Sequence, residues 1–115
     1  MLLGHVLRTG WYADVVSSPE AALELAAEVD YDAFVLDINL GHALSGVDVV
    51  GRLRATERHA HTPVVALTVY DSDEDRARFL EAGFDAHLIK PFTASRLLRV
   101  LTDLSEVRAA WEPVA

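Results

Sequence analysis

The 115-residue sequence has no cysteine and no glutamine, and only one asparagine (Asn39), one methionine (Met1) and one lysine (Lys90). The missing cysteine excludes disulfides and thiolate metal sites and makes the cytoplasm the default compartment. Ten basic residues against eighteen acidic ones give a net charge of -8, so the clustered cations needed for a general grip on nucleic acid are absent. No apolar run is long enough to cross a bilayer, and the first residues lack the layout of a signal peptide. Repeats and low-complexity segments are also missing. What remains is a single acidic domain, 51% hydrophobic and long enough to bury a core.

The most informative stretch is residues 33–40, Ala-Phe-Val-Leu-Asp-Ile-Asn-Leu, an apolar run that ends in a carboxylate just before Gly41. Such a run reads as a strand buried on both faces of a parallel sheet. Residues 64–69 and 86–89 are further runs of this kind, and residues 13–16 read as a shorter strand. Helical patterns separate them. The first covers residues 1–11 and the second starts at Ser18-Pro19-Glu20, an N-cap followed by proline and an acid. A third runs from Val47 to about Thr56, and a polar connector, residues 57–62, follows it. The fourth opens on a Ser72/Asp75 capping box, turns Ala77 and Leu80 inward, and stops at Gly83. The last is capped by Thr93, carries Leu97, Leu101 and Leu104 inward, and extends toward Trp111. Strict alternation of helix and strand predicts an α/β domain over residues 1–104, with a parallel sheet covered on both faces and a helical tail over 105–115.

In open parallel sheets chemistry gathers at the carboxyl ends of the strands. Here the three buried strands deliver Asp37, Thr68 and Lys90 to one crevice. A carboxylate can act as a nucleophile toward phosphorus, while a hydroxyl and an ammonium can hold the oxygens of the transferred group. A divalent cation normally shares that work. The pair His59 and His61 lies in the polar connector, with no other histidine placed by sequence to complete a metal site.

These motifs, together with Ser45-Gly46, Ala82-Gly83-Phe84-Asp85 and Lys90-Pro91-Phe92, resemble the receiver domain of two-component response regulators over nearly the whole chain to about Leu104. The resemblance implies a flavodoxin-like, CheY-like doubly wound sheet and a phosphorelay role. A sensor histidine kinase or phosphotransfer protein would phosphorylate Asp37, with Thr68 as switch hydroxyl and Lys90 as phosphate-binding lysine. His87 stands where the family carries a switch aromatic. Mg²⁺ would rest on the Asp37 carboxylate and the backbone carbonyl of Asn39. The family's first strand and the acidic pair that ends it have no counterpart here, which leaves an upstream start or a degenerate receiver as explanations. A degenerate receiver would be an interaction module using the face from Ser72 through the last helix. An enzymatic alternative is a haloacid-dehalogenase-like phosphohydrolase, which needs a second acid where Asn39 stands.

Overall fold

The structure is a computed structural model that describes residues 14–38 and 46–111, with side chains through Ser105. In chain order the elements are α1 (Pro19–Glu28), β1 (Phe34–Asp37), α2 (Gly46–Arg54), β2 (Val64–Thr68), α3 (Asp73–Ala82), β3 (Ala86–Ile89) and α4 (Ala94–Trp111). The strands form a parallel sheet in the order β1-β2-β3, with Asp37 opposite Leu67 and Thr68 opposite Ile89. This is an open α/β sheet of the flavodoxin-like type with helices on both faces. The expected helix over residues 1–11 lies outside the described residues.

Side chains alternate across the sheet, and the alternation divides the core in two. Phe34, Leu36, Val64 and Ala66 point to one face, where Ala26 of α1, Val49, Val50 and Leu53 of α2 and Phe79 of α3 cover them. Val35, Val65, Leu67 and Leu88 point to the other face and meet Leu97 and Leu101 of α4. β2 is buried along its whole length, which explains its unbroken apolar sequence up to Thr68.

The helix boundaries follow local chemistry. Ser18 Oγ accepts the Ala21 N–H at 3.2 Å, and Pro19 occupies the first turn, where its missing N–H costs nothing. Ser72 and Asp75 form the reciprocal capping box. Gly83 ends α3 with φ +117°, a left-handed conformation that favours glycine. Thr93 Oγ1 accepts the Arg96 N–H at 3.1 Å to start α4.

Two local expectations are corrected. Residues 14–16 join no ladder among the described residues; Asp14 instead accepts the Tyr31 hydroxyl and Val16 packs on the core. Ala77 and Leu80 do not face inward. Leu80 is 64% exposed, and Phe79 is buried in its place, edge-on to Phe84, because the larger ring fixes the rotation of α3. The polar connector 57–62 is in part core: His59 and Thr62 are each 1% exposed.

Candidate functional site

Asp37 is the last residue of β1, and its carboxylate is 15% exposed. Lys90 follows β3 directly, and its Nζ donates to Asp37 Oδ2 at 2.5 Å. β2 lies between these strands, so the pair spans the carboxyl edge of the sheet. The backbone sets this geometry. Ile38 N donates to Leu67 O and Lys90 N to Thr68 O, so the ladder extends one residue past β1 and β3 on either side of β2. The bond is charge-assisted and partly shielded from water, and such bonds are stronger than neutral ones. The Lys90–Pro91 peptide that follows is cis.

Thr68 ends β2 and is fully buried. Its Oγ1 accepts the Tyr70 N–H at 2.9 Å, a short turn that uses a lone pair and leaves the hydroxyl hydrogen to be donated elsewhere. The structure therefore brings Asp37 and Lys90 into contact and sets Thr68 at the end of the strand between them. His87 lies on β3, half-buried, with its ring 6.3 Å from that of Phe79 on the face covered by α3. Asn39 and the loop before Gly46 lie outside the described residues.

Gly46 closes the site from behind. A Cβ there would stand 3.0 Å from the Asp37 carbonyl oxygen and 3.2 Å from Ile38 Cα, both backbone atoms that cannot swing away. α2 thus starts in direct contact with the end of β1 because its first residue has no side chain. The Ser45-Gly46 motif was legible in the sequence, but the close approach that requires it was not.

Among the described residues, which do not include Asn39, the donor set for a divalent cation is incomplete. Among the described residues no group of three or more histidine, aspartate or glutamate side chains is placed to hold one, and Asp37 Oδ2 is engaged by Lys90. No step below depends on a metal.

Two residues missed in the sequence hold the opposite end of the sheet. The buried His59 ring lies 3.0 and 3.1 Å by Nε2 from the carbonyls of Ala26 and Val29, and 3.0 Å by Nδ1 from Thr62 Oγ1. Two carbonyls can only accept, so Nε2 carries the hydrogen, and in the neutral ring Nδ1 accepts from Thr62. The ring thereby caps the C-terminus of α1, whose last turn has no basic residue. Arg54 donates through Nε and Nη2 to Gly83 O, through Nη1 to His59 O and Thr62 O, and through Nη2 to Asp85 Oδ2. All five guanidinium N–H groups are thus used.

The model of the response regulator receiver domain family matches residues 1–102. Among curated proteins, the chain is 39% identical over 101 residues to the transcriptional regulatory protein HprR of Escherichia coli, covering 87% of this chain and 44% of that protein. It is 35% identical over 108 residues to the sensory/regulatory protein RpfC of Xanthomonas campestris, covering 91% of this chain and 15% of that one. The chain therefore spans less than half the length of these relatives. Among solved structures it resembles the receiver domain of a sensor histidine kinase from Pseudomonas aeruginosa, in which magnesium is coordinated in the active-site cleft. That match has a TM-score of 0.76 and 32% identity, and covers 87% of this chain and 82% of the other. The chemotaxis response regulator CheY4 of Vibrio cholerae aligns with a TM-score of 0.79 and 25% identity, covering 84% and 80%.

Proposed function

Because the chain belongs to the response regulator receiver domain family of two-component systems, we propose that Asp37 is its phosphoacceptor. The observation that carries this reading is the Asp37–Lys90 contact across the carboxyl edge of the sheet. The donor is a phosphohistidine on a sensor histidine kinase or a phosphotransfer protein. An Asp37 carboxylate oxygen attacks phosphorus, the N–P bond breaks, and its electron pair returns to the imidazole. The product is an acyl phosphate on Asp37 and a dephosphorylated histidine.

Lys90 and Thr68 act on the charge of the transferred group. The Lys90 ammonium, already against Asp37, stabilises the phosphoryl oxygens as a compact charge. Thr68 donates its free hydroxyl hydrogen to one of them, which shifts the turn at Val69 and Tyr70 and, through β3, the environment of His87. Val69 and Tyr70 are 56% and 49% exposed, so this turn can move without opening the core.

The test is phosphorylation of the 115-residue chain by acetyl phosphate and by a phosphorylated histidine kinase, read by intact mass and by hydroxylamine lability. Asp37→Asn is expected to abolish the acyl phosphate, and Lys90→Ala to slow its formation while the fold is retained. Labelling that persists in Asp37→Asn, or none from either donor, refutes the assignment.

A further inference from the structure

The Thr68 hydroxyl is fully buried at the end of β2, and the one hydrogen bond it makes to a described residue is accepted from the Tyr70 N–H at 2.9 Å. Its own hydrogen is donated to no described residue, although the group lies away from solvent. The donor end of this bond is the reverse case. Val69 and Tyr70 are 56% and 49% exposed, in the turn between β2 and α3. Among the described residues the Tyr70 phenol makes no hydrogen bond and its ring no aromatic contact. One bond therefore joins a buried hydroxyl of the candidate site to an aromatic residue at the surface.

His87, at the expected switch position, has no such link. It is half-buried on β3 beside Phe79 and makes no hydrogen bond to Thr68. Thr68 is β-branched, so its hydroxyl moves by changing staggered rotamer rather than by small adjustments. A phosphoryl group on Asp37 offers the unspent hydrogen a charged acceptor at the same edge of the sheet. A hydroxyl that turns toward it withdraws its lone pair from the Tyr70 N–H. The exchange costs little on one side and gains on the other. The buried hydroxyl acquires a charge-assisted bond, and the released N–H lies in an exposed turn where water replaces its partner.

We propose that Tyr70 is the signalling aromatic of this chain. Its backbone N–H latches Thr68 in the resting state, and phosphorylation of Asp37 releases the latch and resets the exposed ring. The proposal deepens the phosphoacceptor reading and rests on it. Tyr70 is a positioning residue, because it acts on Thr68 and not on the transferred group. β2 is buried along its whole length, so the turn at Val69 and Tyr70 is the first part of the chain beyond Thr68 that is free to move. The phosphorylated and resting proteins then present different surfaces between β2 and α3 while sharing one core.

The test labels the 115-residue chain with fluorotyrosine at Tyr12, Tyr31 and Tyr70, the latter assigned by Tyr70→Phe, and treats it with acetyl phosphate. Intact mass on the same sample gives the phosphorylated fraction. The Tyr70 fluorine resonance is expected to move in proportion to that fraction, while Tyr31, which precedes β1, stays in place. Hydrogen exchange reads the latch itself. The Tyr70 amide should be protected in the resting chain despite the exposure of its residue, and should exchange about tenfold faster once Asp37 is phosphorylated. Thr68→Ser should keep both behaviours, whereas Thr68→Val should leave the amide unprotected from the outset and the ring unmoved. The proposal is overturned if the Tyr70 amide exchanges freely in the resting chain, if its resonance stays fixed while Asp37 is phosphorylated, or if the shift survives in phosphorylated Thr68→Val. A chain whose Asp37 takes no phosphate overturns the phosphoacceptor reading and this proposal together, whereas a phosphorylated chain with an unmoved Tyr70 overturns this one alone.

Discussion

Replacing Arg54 by alanine removes five hydrogen bonds at once: two to Gly83 O, one each to His59 O and Thr62 O, and one to Asp85 Oδ2. Each bond from a charged donor contributes roughly 1.5–3 kcal/mol when shielded from water. The Arg54 side chain is 20% exposed and Asp85 41%, so water replaces part of what is lost. Asp85 Oδ2 also keeps the Val64 N–H at 2.8 Å. These discounts bring the expected cost to about 3 kcal/mol, of the same order as breaking a buried ion pair. Read by urea unfolding with a slope of roughly 1.5 kcal/mol per M, the midpoint falls by about 2 M. Arg54→Lys should recover less than half of the loss, because a single ammonium cannot reproduce the planar fork. In a double-mutant cycle Arg54 and Asp85 should couple by about 1 kcal/mol. A cost below about 1 kcal/mol for Arg54→Ala, or full rescue by lysine, refutes the view that this guanidinium clamps α2, the connector and the start of β3 together.

Gly46→Ala should cost about 1–3 kcal/mol in urea unfolding, since its Cβ meets backbone atoms of Asp37 and Ile38, and should slow labelling of Asp37 by acetyl phosphate. Gly51→Ala, in the exposed interior of α2 with nothing within 4 Å of the new Cβ, should instead stabilise by about 0.5–1 kcal/mol in the same assay. Burial, and then Asp14, push the Tyr31 phenol from 10.0 up to about 12. The folded state holds this proton more tightly than the unfolded one, so its contribution is full below about pH 10 and is lost as pH rises through about 12. Tyr31→Phe should therefore show a shallower fall in stability across that window, measured by urea unfolding and by absorbance titration of the phenol.

The strands were legible because a sheet covered on both faces demands uninterrupted apolar runs, and β2 supplies one up to Thr68. The caps at Ser18, Ser72 and Thr93 were legible because their partners lie only three residues away. Asp37 and Lys90 could be paired from sequence because both fall at strand ends, which converge in any parallel sheet. What escaped depends on distant partners. The His59 ring bonds carbonyls 33 and 30 residues back, and Arg54 reaches Gly83 29 residues ahead, so a segment that reads as a polar connector is in part core. Leu80 and Phe79 are neighbours on α3, and periodicity alone could not choose the helix rotation that buries one of them. Residues 14–16 have strand-like composition, but a strand exists only through a neighbour.

The Asp37–Lys90 contact has a practical corollary in bioconjugation. Lys90 is the sole lysine, so amine-selective reagents have one side-chain target in the chain, and it is the amine that touches the carboxylate of the candidate site. Attachment to a sensor chip or a dye through lysine therefore modifies the site under study, whereas arginine-, tyrosine- or terminus-directed tags spare it. Enzymatic acylation of Lys90 would remove its charge and free Asp37 of its cation in one step. The same singularity makes the protein its own reporter: the acylation rate of Lys90 reads out how firmly Asp37 holds it, with no other lysine contributing background.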